Sequence, residues 1–105
     1  MPHWFAILRT RGHGWDAATP MREQRFWREH AVYIDALEAE GVLRLAGPLE
    51  ASPDVLLIMQ GADPDAIAAR LAEDPWTGSG QLATVWIRPW RVLVGPGALV
   101  AAPAA

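Results

Sequence analysis

The stretch VLRLAGPLEASPDVLLIMQ, residues 42–60, holds two short apolar runs joined by a polar connection. Residues 42–49 and residues 55–60 are mostly aliphatic and are bounded by turn-forming residues, as is typical of buried strands. The first run ends at Gly47-Pro48. A connection this short fits a hairpin, so we expect the two strands to pair in antiparallel fashion.

A helical pattern precedes this hairpin. In residues 21–40, apolar residues recur at intervals of four, three and three positions and form one stripe: Trp27, Ala31, Ile34 and Leu37. Pro20 suits the start of a helix, and Gly41 suits the position just after its end, where a positive φ is common. The pattern predicts an amphipathic helix over residues 21–40.

A second and shorter helical pattern follows the hairpin. Asp63 is the predicted N-cap, and Pro64 takes the first helical position, where its missing N–H costs nothing. The pair Asp74-Pro75 ends this helix, and we expect residues 77–80, with the sequence TGSG, to form a loop.

Two outer apolar runs complete the pattern, over residues 3–9 and residues 81–95, with a bend or edge position at Pro89. The element order is therefore β-α-β-β-α-β. This order predicts an α+β fold of the ferredoxin-like type, in which two helices cover one face of a four-stranded antiparallel sheet. We expect a single domain over residues 1–95 and a flexible Ala/Pro-rich tail over residues 96–105.

The composition excludes several classes of function. The 105 residues include nine arginines, no lysine, twelve acidic residues and no cysteine, and the net charge is −3. This charge disfavours a nucleic-acid partner, and no apolar run approaches the ~18 residues of a membrane helix. The lack of cysteine excludes disulfides, thiol nucleophiles and cysteine-ligated metals. The N-terminus has no secretory signal pattern, so we expect a cytoplasmic location.

The predicted sheet is apolar on both faces. In the first strand, Phe5 and Ile7 alternate with residues that are equally apolar: Trp4, Ala6 and Leu8. A sheet with one face in water should alternate apolar and polar residues instead. Because the helices cover only one face, we expect a homodimer in which two helix-free faces stack about a two-fold axis. The alternative is a monomer whose own loop and tail cover that face.

His30 is the first candidate for chemistry. It lies three residues after Trp27 and four before Ile34, on or beside the buried stripe of the first helix. A buried imidazole needs a hydrogen-bond partner, and a charged one needs a carboxylate. The plainer interpretation is a core histidine bonded to a backbone carbonyl. The functional interpretation is a general acid or base, since imidazole titrates near neutral pH.

Asp74 is the second candidate. It lies three residues after Leu71 and continues the apolar stripe of the second helix, so its carboxylate should point inward. The helix dipole disfavours a carboxylate at a helix C-terminus, and such conflicts are expected at functional sites. In the alternative interpretation Asp74 ends the helix and bonds loop N–H groups. We predict His30 and Asp74 as an acid/base pair.

The remaining polar residues give weaker signals. The histidines His3, His13 and His30 are too scattered to form a metal site, and we expect no metal and no cofactor. Four arginines lie on the predicted strands: Arg9, Arg44, Arg88 and Arg91. One of them near a pocket would bind an anionic substrate, but a solvated position at a strand edge is the simpler interpretation.

An ordered set of motifs resembles the YCII-related family. In that family a helical histidine is followed by a Gly, a strand and a Gly-Pro, and later by an Asp-Pro-aromatic turn, a Gly and a last strand with Pro-aromatic. The matching residues here are His30, Gly41, Gly47-Pro48, Asp74-Pro75-Trp76, Gly80 and Pro89-Trp90. The resemblance implies a dimeric α+β barrel with an active-site His and Asp, which correspond to His30 and Asp74. It also implies chemistry on hydroxylated aromatic compounds, because some members are linked to their dehalogenation.

Three functions fit these residues. The first is a small cofactor-free enzyme in which His30 and Asp74 perform acid/base chemistry on a small ring compound. The second is a non-catalytic dimeric module that binds a small molecule or serves as an accessory, and the third is a cofactor-free monooxygenase or isomerase.

His13 and Trp15 either cover the pocket or lie in solvent. The predicted substrate-binding residues are Trp76, Gly47, Pro48 and Trp4.

Overall fold

The computed structural model describes residues 3–96, which form one sheet with helices on one side. In chain order the elements are β1 (His3–Arg11), a 3-10 turn (Met21–Glu23), α1 (Trp27–Ala39), β2 (Leu43–Pro48), β3 (Asp54–Gly61), α2 (Pro64–Ala72), α3 (Pro75–Ser79) and β4 (Leu82–Pro89). The strand order is β2-β3-β1-β4, and all neighbours are antiparallel. The predicted α+β fold of the ferredoxin-like type is confirmed.

The first helix begins later than the sequence pattern predicts. Residues 21–23 form only a 3-10 turn, Gln24 is extended, and the regular helix begins at Trp27. The cause is the buried side chain of Gln24. Its Nε2 donates to the carbonyl oxygens of Asp16 and Thr19, and its Oε1 accepts from the backbone N–H of Asp16. Gln24 thus fixes the preceding loop, which delays the helix.

The segment before β4 also differs from the sequence prediction. Residues 77–80 were expected to form a loop, yet the short helix α3 extends over Pro75–Ser79 and ends at Gly80, whose φ is +85°. Asp74 caps this helix, and Pro75 opens it. β4 ends at Pro89 instead of residue 95, because proline has no N–H for a sheet ladder. Of the predicted tail, residues 97–105 lie outside the described residues.

The sheet buries apolar residues on both faces, as the alternation in β1 predicts. The face under the helices carries the larger cluster, which consists of Phe5, Ile7, Leu37, Leu43, Leu57, Met59, Ile67 and Leu71. The opposite face carries a smaller cluster of Trp4, Ile58 and Val92, with Ala6 packed against it. Within residues 3–96, none of the helices has the length and apolar character needed to cross a membrane.

Two glycines of the β1–α1 loop pack directly on the turn before β4. The N–H of Gly12 donates to the carbonyl of Gln81 at 3.0 Å, and the N–H of Gly14 donates to the carbonyl of Gly80 at 2.9 Å. A Cβ at Gly14 would lie 2.2 Å from the carbonyl oxygen of Ser79, far inside van der Waals contact. The two segments therefore form one unit, which fixes the position of the following Trp15.

Substitution of Gly14 by Ala should destabilise the protein by about 1–3 kcal/mol, because the added methyl must push the backbone of Ser79 aside. The matched control is Gly78→Ala, since a Cβ at Gly78 meets no atom within 4 Å. Urea unfolding followed by circular dichroism measures both variants. Equal stability of the two variants would contradict the close packing of the two segments.

Candidate active site

Asp74 lies at the junction of α2 and α3, and its side chain is completely buried. Its Oδ1 accepts a hydrogen bond of 2.9 Å from the backbone N–H of Trp76. The carboxylate points inward, as predicted, but the expected conflict with a helix dipole is absent. Asp74 is the N-cap of α3, where a negative charge and a side-chain acceptor are both favourable.

The structure brings His30 and Asp74 together. His30 lies in the first turn of α1, and its Nδ1 is 2.8 Å from Oδ1 and 3.0 Å from Oδ2 of Asp74. The side chain of His30 is 12% exposed, so the ring is mostly enclosed but reaches the surface of a cavity. The interpretation of His30 as a histidine bonded to a backbone carbonyl does not describe this contact.

Arg9 holds the same carboxylate from the sheet side. Its Nη1 donates to Oδ2 of Asp74 at 2.8 Å, and its Nη2 donates to Oγ1 of Thr77 at 2.5 Å. Arg9 is 1% exposed, so the expected strand-edge role in solvent is wrong for this residue. The signal was present in the sequence, because alternation places Arg9 on the same sheet face as the core residues Phe5 and Ile7.

The neighbours of Asp74 keep its carboxylate ionised. Burial acts to raise its pKa, but the hydrogen bond and charge interaction with His30, the N–H of Trp76 and the guanidinium of Arg9 outweigh burial and lower the pKa below 3.8. An ionised carboxylate only accepts hydrogen bonds, so Nδ1 of His30 carries the hydrogen. In the neutral ring the lone pair is then on Nε2.

Aromatic rings fix the plane of the imidazole. The ring of His30 stacks on that of Trp76, with the centroids 3.9 Å apart and the planes 8° from parallel. Trp76 is itself fixed, because its Nε1 donates to the carbonyl of Arg25 at 2.7 Å. Trp15 and Trp27 each pack against Trp76 at a centroid distance of 5.6 Å. The imidazole is thus held by a carboxylate at one edge and by an indole on one face.

A cavity of about 200 Å³ opens beside His30 and is mostly apolar. Four of the predicted site residues line it: His30, Trp76, Gly47 and Pro48. Two further tryptophans, Trp15 and Trp27, line it as well. Trp4, which was also predicted for this pocket, lies on the opposite face of the sheet, against Ile58 and Val92. The placement of Trp4 beside His30 is therefore wrong, because strand alternation directs its side chain away from the helices.

Nε2 of His30 makes no hydrogen bond to any group in residues 3–96, while Nδ1 is fully engaged. A neutral imidazole in this state has an available lone pair beside an apolar cavity, which suits it to remove a proton. His3 and His13 do not line this cavity. Over the same residues, no group of three or more His, Asp or Glu side chains could hold a metal ion.

One family of known proteins matches most of this chain. The family model described as YCII-related domain matches residues 4–91. The chain belongs to the YCII-related domain family. Among functionally curated proteins, no significant match was found.

Two solved structures share the fold of this YCII-related domain. One is 5-chloro-2-hydroxyhydroquinone dehydrochlorinase (TftG) from Burkholderia phenoliruptrix AC1100 in complex with 2,5-dihydroxybenzoquinone. It has 22% identity and a TM-score of 0.61, and the match covers 85% of this chain and 94% of that one. The other is the structural genomics protein YJCS, with 12% identity, a TM-score of 0.54 and coverage of 88% and 99%.

Removal of the Asp74 carboxylate should strongly destabilise this YCII-related domain. Asp74→Ala leaves the buried guanidinium of Arg9 without its counter-charge, so we expect a loss of about 3–5 kcal/mol. The matched control is Asp63→Ala, which removes the exposed N-cap of α2 and should cost about 1 kcal/mol. Urea unfolding of both variants at neutral pH compares the loss of the buried carboxylate with the loss of an exposed N-cap.

The contribution of Asp74 should also depend on pH in a defined direction. Its pKa is lowered on folding, so its stabilising effect is complete above the unfolded-state pKa of about 3.9 and is lost as the pH falls through the folded-state value. The stability difference between the parent and Asp74→Asn should therefore shrink below about pH 4. A difference that stays constant through the acid range would contradict the lowered pKa.

Proposed function

We propose that this YCII-related domain is a cofactor-free enzyme in which His30 and Asp74 perform acid/base chemistry on a small ring compound. One observation carries the proposal: Nδ1 of His30 is bound by the buried carboxylate of Asp74, while the ring lines an aromatic cavity. Acid/base catalysis needs a base of this kind within reach of the substrate proton.

The proposed reaction begins with proton removal by Nε2 of His30. The base takes a proton from a ring carbon or hydroxyl, and Asp74 stabilises the imidazolium that forms. In an elimination from a halogenated hydroquinone, His30 first moves one hydroxyl proton to the ring carbon that bears the halogen, so that this carbon becomes tetrahedral and the oxygen becomes a carbonyl. His30 then removes the second hydroxyl proton, and halide leaves with the electron pair of its bond as the quinone forms. His30 then releases its proton to water, so the net change is loss of hydrogen halide. In an isomerisation, the same imidazolium returns the proton to a different atom.

The cavity supports a single-ring substrate. Its volume of about 200 Å³ is below the range of roughly 300–1,000 Å³ that is usual for drug-sized ligands. Trp15, Trp27 and Trp76 offer apolar faces and edges on which a planar ring can stack. The apolar walls also exclude water, which strengthens the interaction between Asp74 and the imidazolium.

The likeness to TftG guides the choice of compounds. That protein is a dehydrochlorinase for a chlorinated hydroxyhydroquinone, and its structure contains 2,5-dihydroxybenzoquinone. We therefore propose hydroxylated, halogenated benzenes as the first substrate class to test, with elimination of halide as the reaction.

Replacement of His30 by Gln should lower turnover by about 10²–10⁴-fold, because the base is lost while an isosteric amide keeps the volume. Halide release from a panel of chlorinated di- and trihydroxybenzenes, measured with the full-length chain, gives the rate. The matched control is His3→Gln, which replaces an exposed histidine at the start of β1 and should leave turnover unchanged. Asp74→Asn should reduce turnover as well, since an amide stabilises the imidazolium less than a carboxylate.

Other outcomes would support the competing functions. Tight binding of ring compounds with no conversion, in the parent and in His30→Gln alike, would favour a binding module. Oxygen uptake with hydroquinones would instead favour a cofactor-free monooxygenase. Halide release that is equal in the parent and in His30→Gln would contradict the acid/base role.

We also infer a homodimer that forms through the helix-free face of the sheet. On this face the central strands carry Leu8, Leu56 and Ile58, and β4 adds Trp86, as the strand register shows. These apolar side chains would be covered by the same face of a second copy.

A cytoplasmic location stays a prediction from the sequence.

A charge at the centre of the helix-free face should dissociate this dimer. In Leu56→Asp the carboxylate would be buried against a second sheet without a partner, so we expect a monomer, while the parent is a dimer. Val32→Asp, at an exposed apolar residue of α1, is the control and should remain dimeric. Sedimentation equilibrium distinguishes the states, and a monomeric parent would contradict the inference.

A further inference from the structure

Arg11 is a cation in the cavity that the acid/base chemistry does not use. It is the last residue of β1 and lies on the same sheet face as Arg9, two positions earlier. The two arginines differ in their surroundings. Arg9 is buried and forms an ion pair with Asp74, whereas Arg11 is exposed and lines the cavity beside His30.

The guanidinium of Arg11 is held by an aromatic ring. Its Cζ lies 4.5 Å from the centroid of Trp15, in a cation–π contact. Trp15 packs edge-on against Trp76, and Trp76 stacks on His30. In a cation–π contact, the N–H groups of a guanidinium that point away from the ring stay available to an acceptor. Arg11 and His30 are thus fixed in one cavity by the same group of rings.

Within residues 3–96, no carboxylate lies within 4 Å of the Arg11 guanidinium nitrogens. Asp54 also lines the cavity, but it forms no ion pair with Arg11. The charge of Arg9 is already matched by Asp74. Arg11 therefore supplies the cavity with a positive charge that no carboxylate of these residues neutralises.

We propose that Arg11 selects ring compounds that carry an acidic oxygen, as a carboxylate or an enolate. This inference rests on the proposed function, since it names the substrate class of the same cavity. The planar fork of a guanidinium matches a carboxylate in two parallel hydrogen bonds, and such charge-assisted bonds are the stronger kind. With its acidic oxygen on Arg11, the ring lies among the tryptophans of the cavity that His30 also lines.

The test compares an anionic ring with its neutral counterpart of nearly the same shape. Isothermal titration calorimetry at neutral pH gives the affinity of the full-length chain for 4-hydroxybenzoate and for 4-hydroxybenzamide. The protein variants are the parent, Arg11→Gln, Arg11→Lys and the control Arg28→Gln. Arg28 is an exposed arginine of α1 that does not line this cavity, so its variant makes the same change in net charge elsewhere.

The parent should bind 4-hydroxybenzoate about tenfold more tightly than the amide, as expected for a partly exposed charged hydrogen bond. In Arg11→Gln the affinity for 4-hydroxybenzoate alone should fall, so that the preference is lost. Arg28→Gln should keep the preference. Arg11→Lys should retain part of it, because lysine keeps the charge but not the fork. Addition of salt should reduce the preference of the parent.

Three results would overturn the inference: equal affinity of the parent for both ligands, equal weakening of both ligands by Arg11→Gln, and no binding of either ligand at millimolar concentration. The outcome is separate from that of the proposed function. Anion preference that depends on Arg11, together with halide release that is independent of His30, would retain the ligand class and reject the acid/base enzyme. Halide release that depends on His30, without an anion preference that depends on Arg11, would retain the enzyme and reject the role of Arg11.

Discussion

The buried carboxylate of Asp74 is the interaction on which the helical side of the sheet depends. It accepts hydrogen bonds from the guanidinium of Arg9, the imidazole of His30 and the backbone of Trp76, which belong to β1, α1 and α3. An isolated carboxylate in this place would be very unfavourable, because burial removes its hydration. The converging donors offset that cost, and they also bring distant parts of the chain into one place. The same contacts that stabilise the charge therefore align the candidate base.

Much of the fold could be predicted because its signals are local. The hairpin of β2 and β3 follows from two apolar runs and a short connection, and α2 follows from Asp63 and Pro64 at its start. The inward direction of Asp74 was also visible, since its position continues an apolar helical stripe. These signals depend on residues a few positions apart, where strand and helix periodicities are reliable.

The rest of the site depends on contacts between residues that are distant in sequence. Arg9 and Asp74 are 65 positions apart, and no local pattern indicates that they form a pair. The helix α3 was missed because one turn of five residues, with two glycine or serine positions in it, carries no periodicity. The errors at Arg9 and Trp4 have another cause. Alternation along β1 places Arg9 on the face under the helices and Trp4 on the opposite face, whereas arginine is usually exposed and tryptophan is common in pockets.

The start of α1 has a consequence for the dynamics of His30. This helix has no side-chain N-cap, and the residue before it, Phe26, has a left-handed backbone with φ +62°. Such a helix end would ordinarily fray. Here the first turn is fixed from outside, because Trp76 bonds the carbonyl of Arg25 and Asp74 bonds His30. The resistance of this turn to local opening thus depends on α3 more than on α1. Loosening of that short helix would misalign the imidazole while the sheet stays intact.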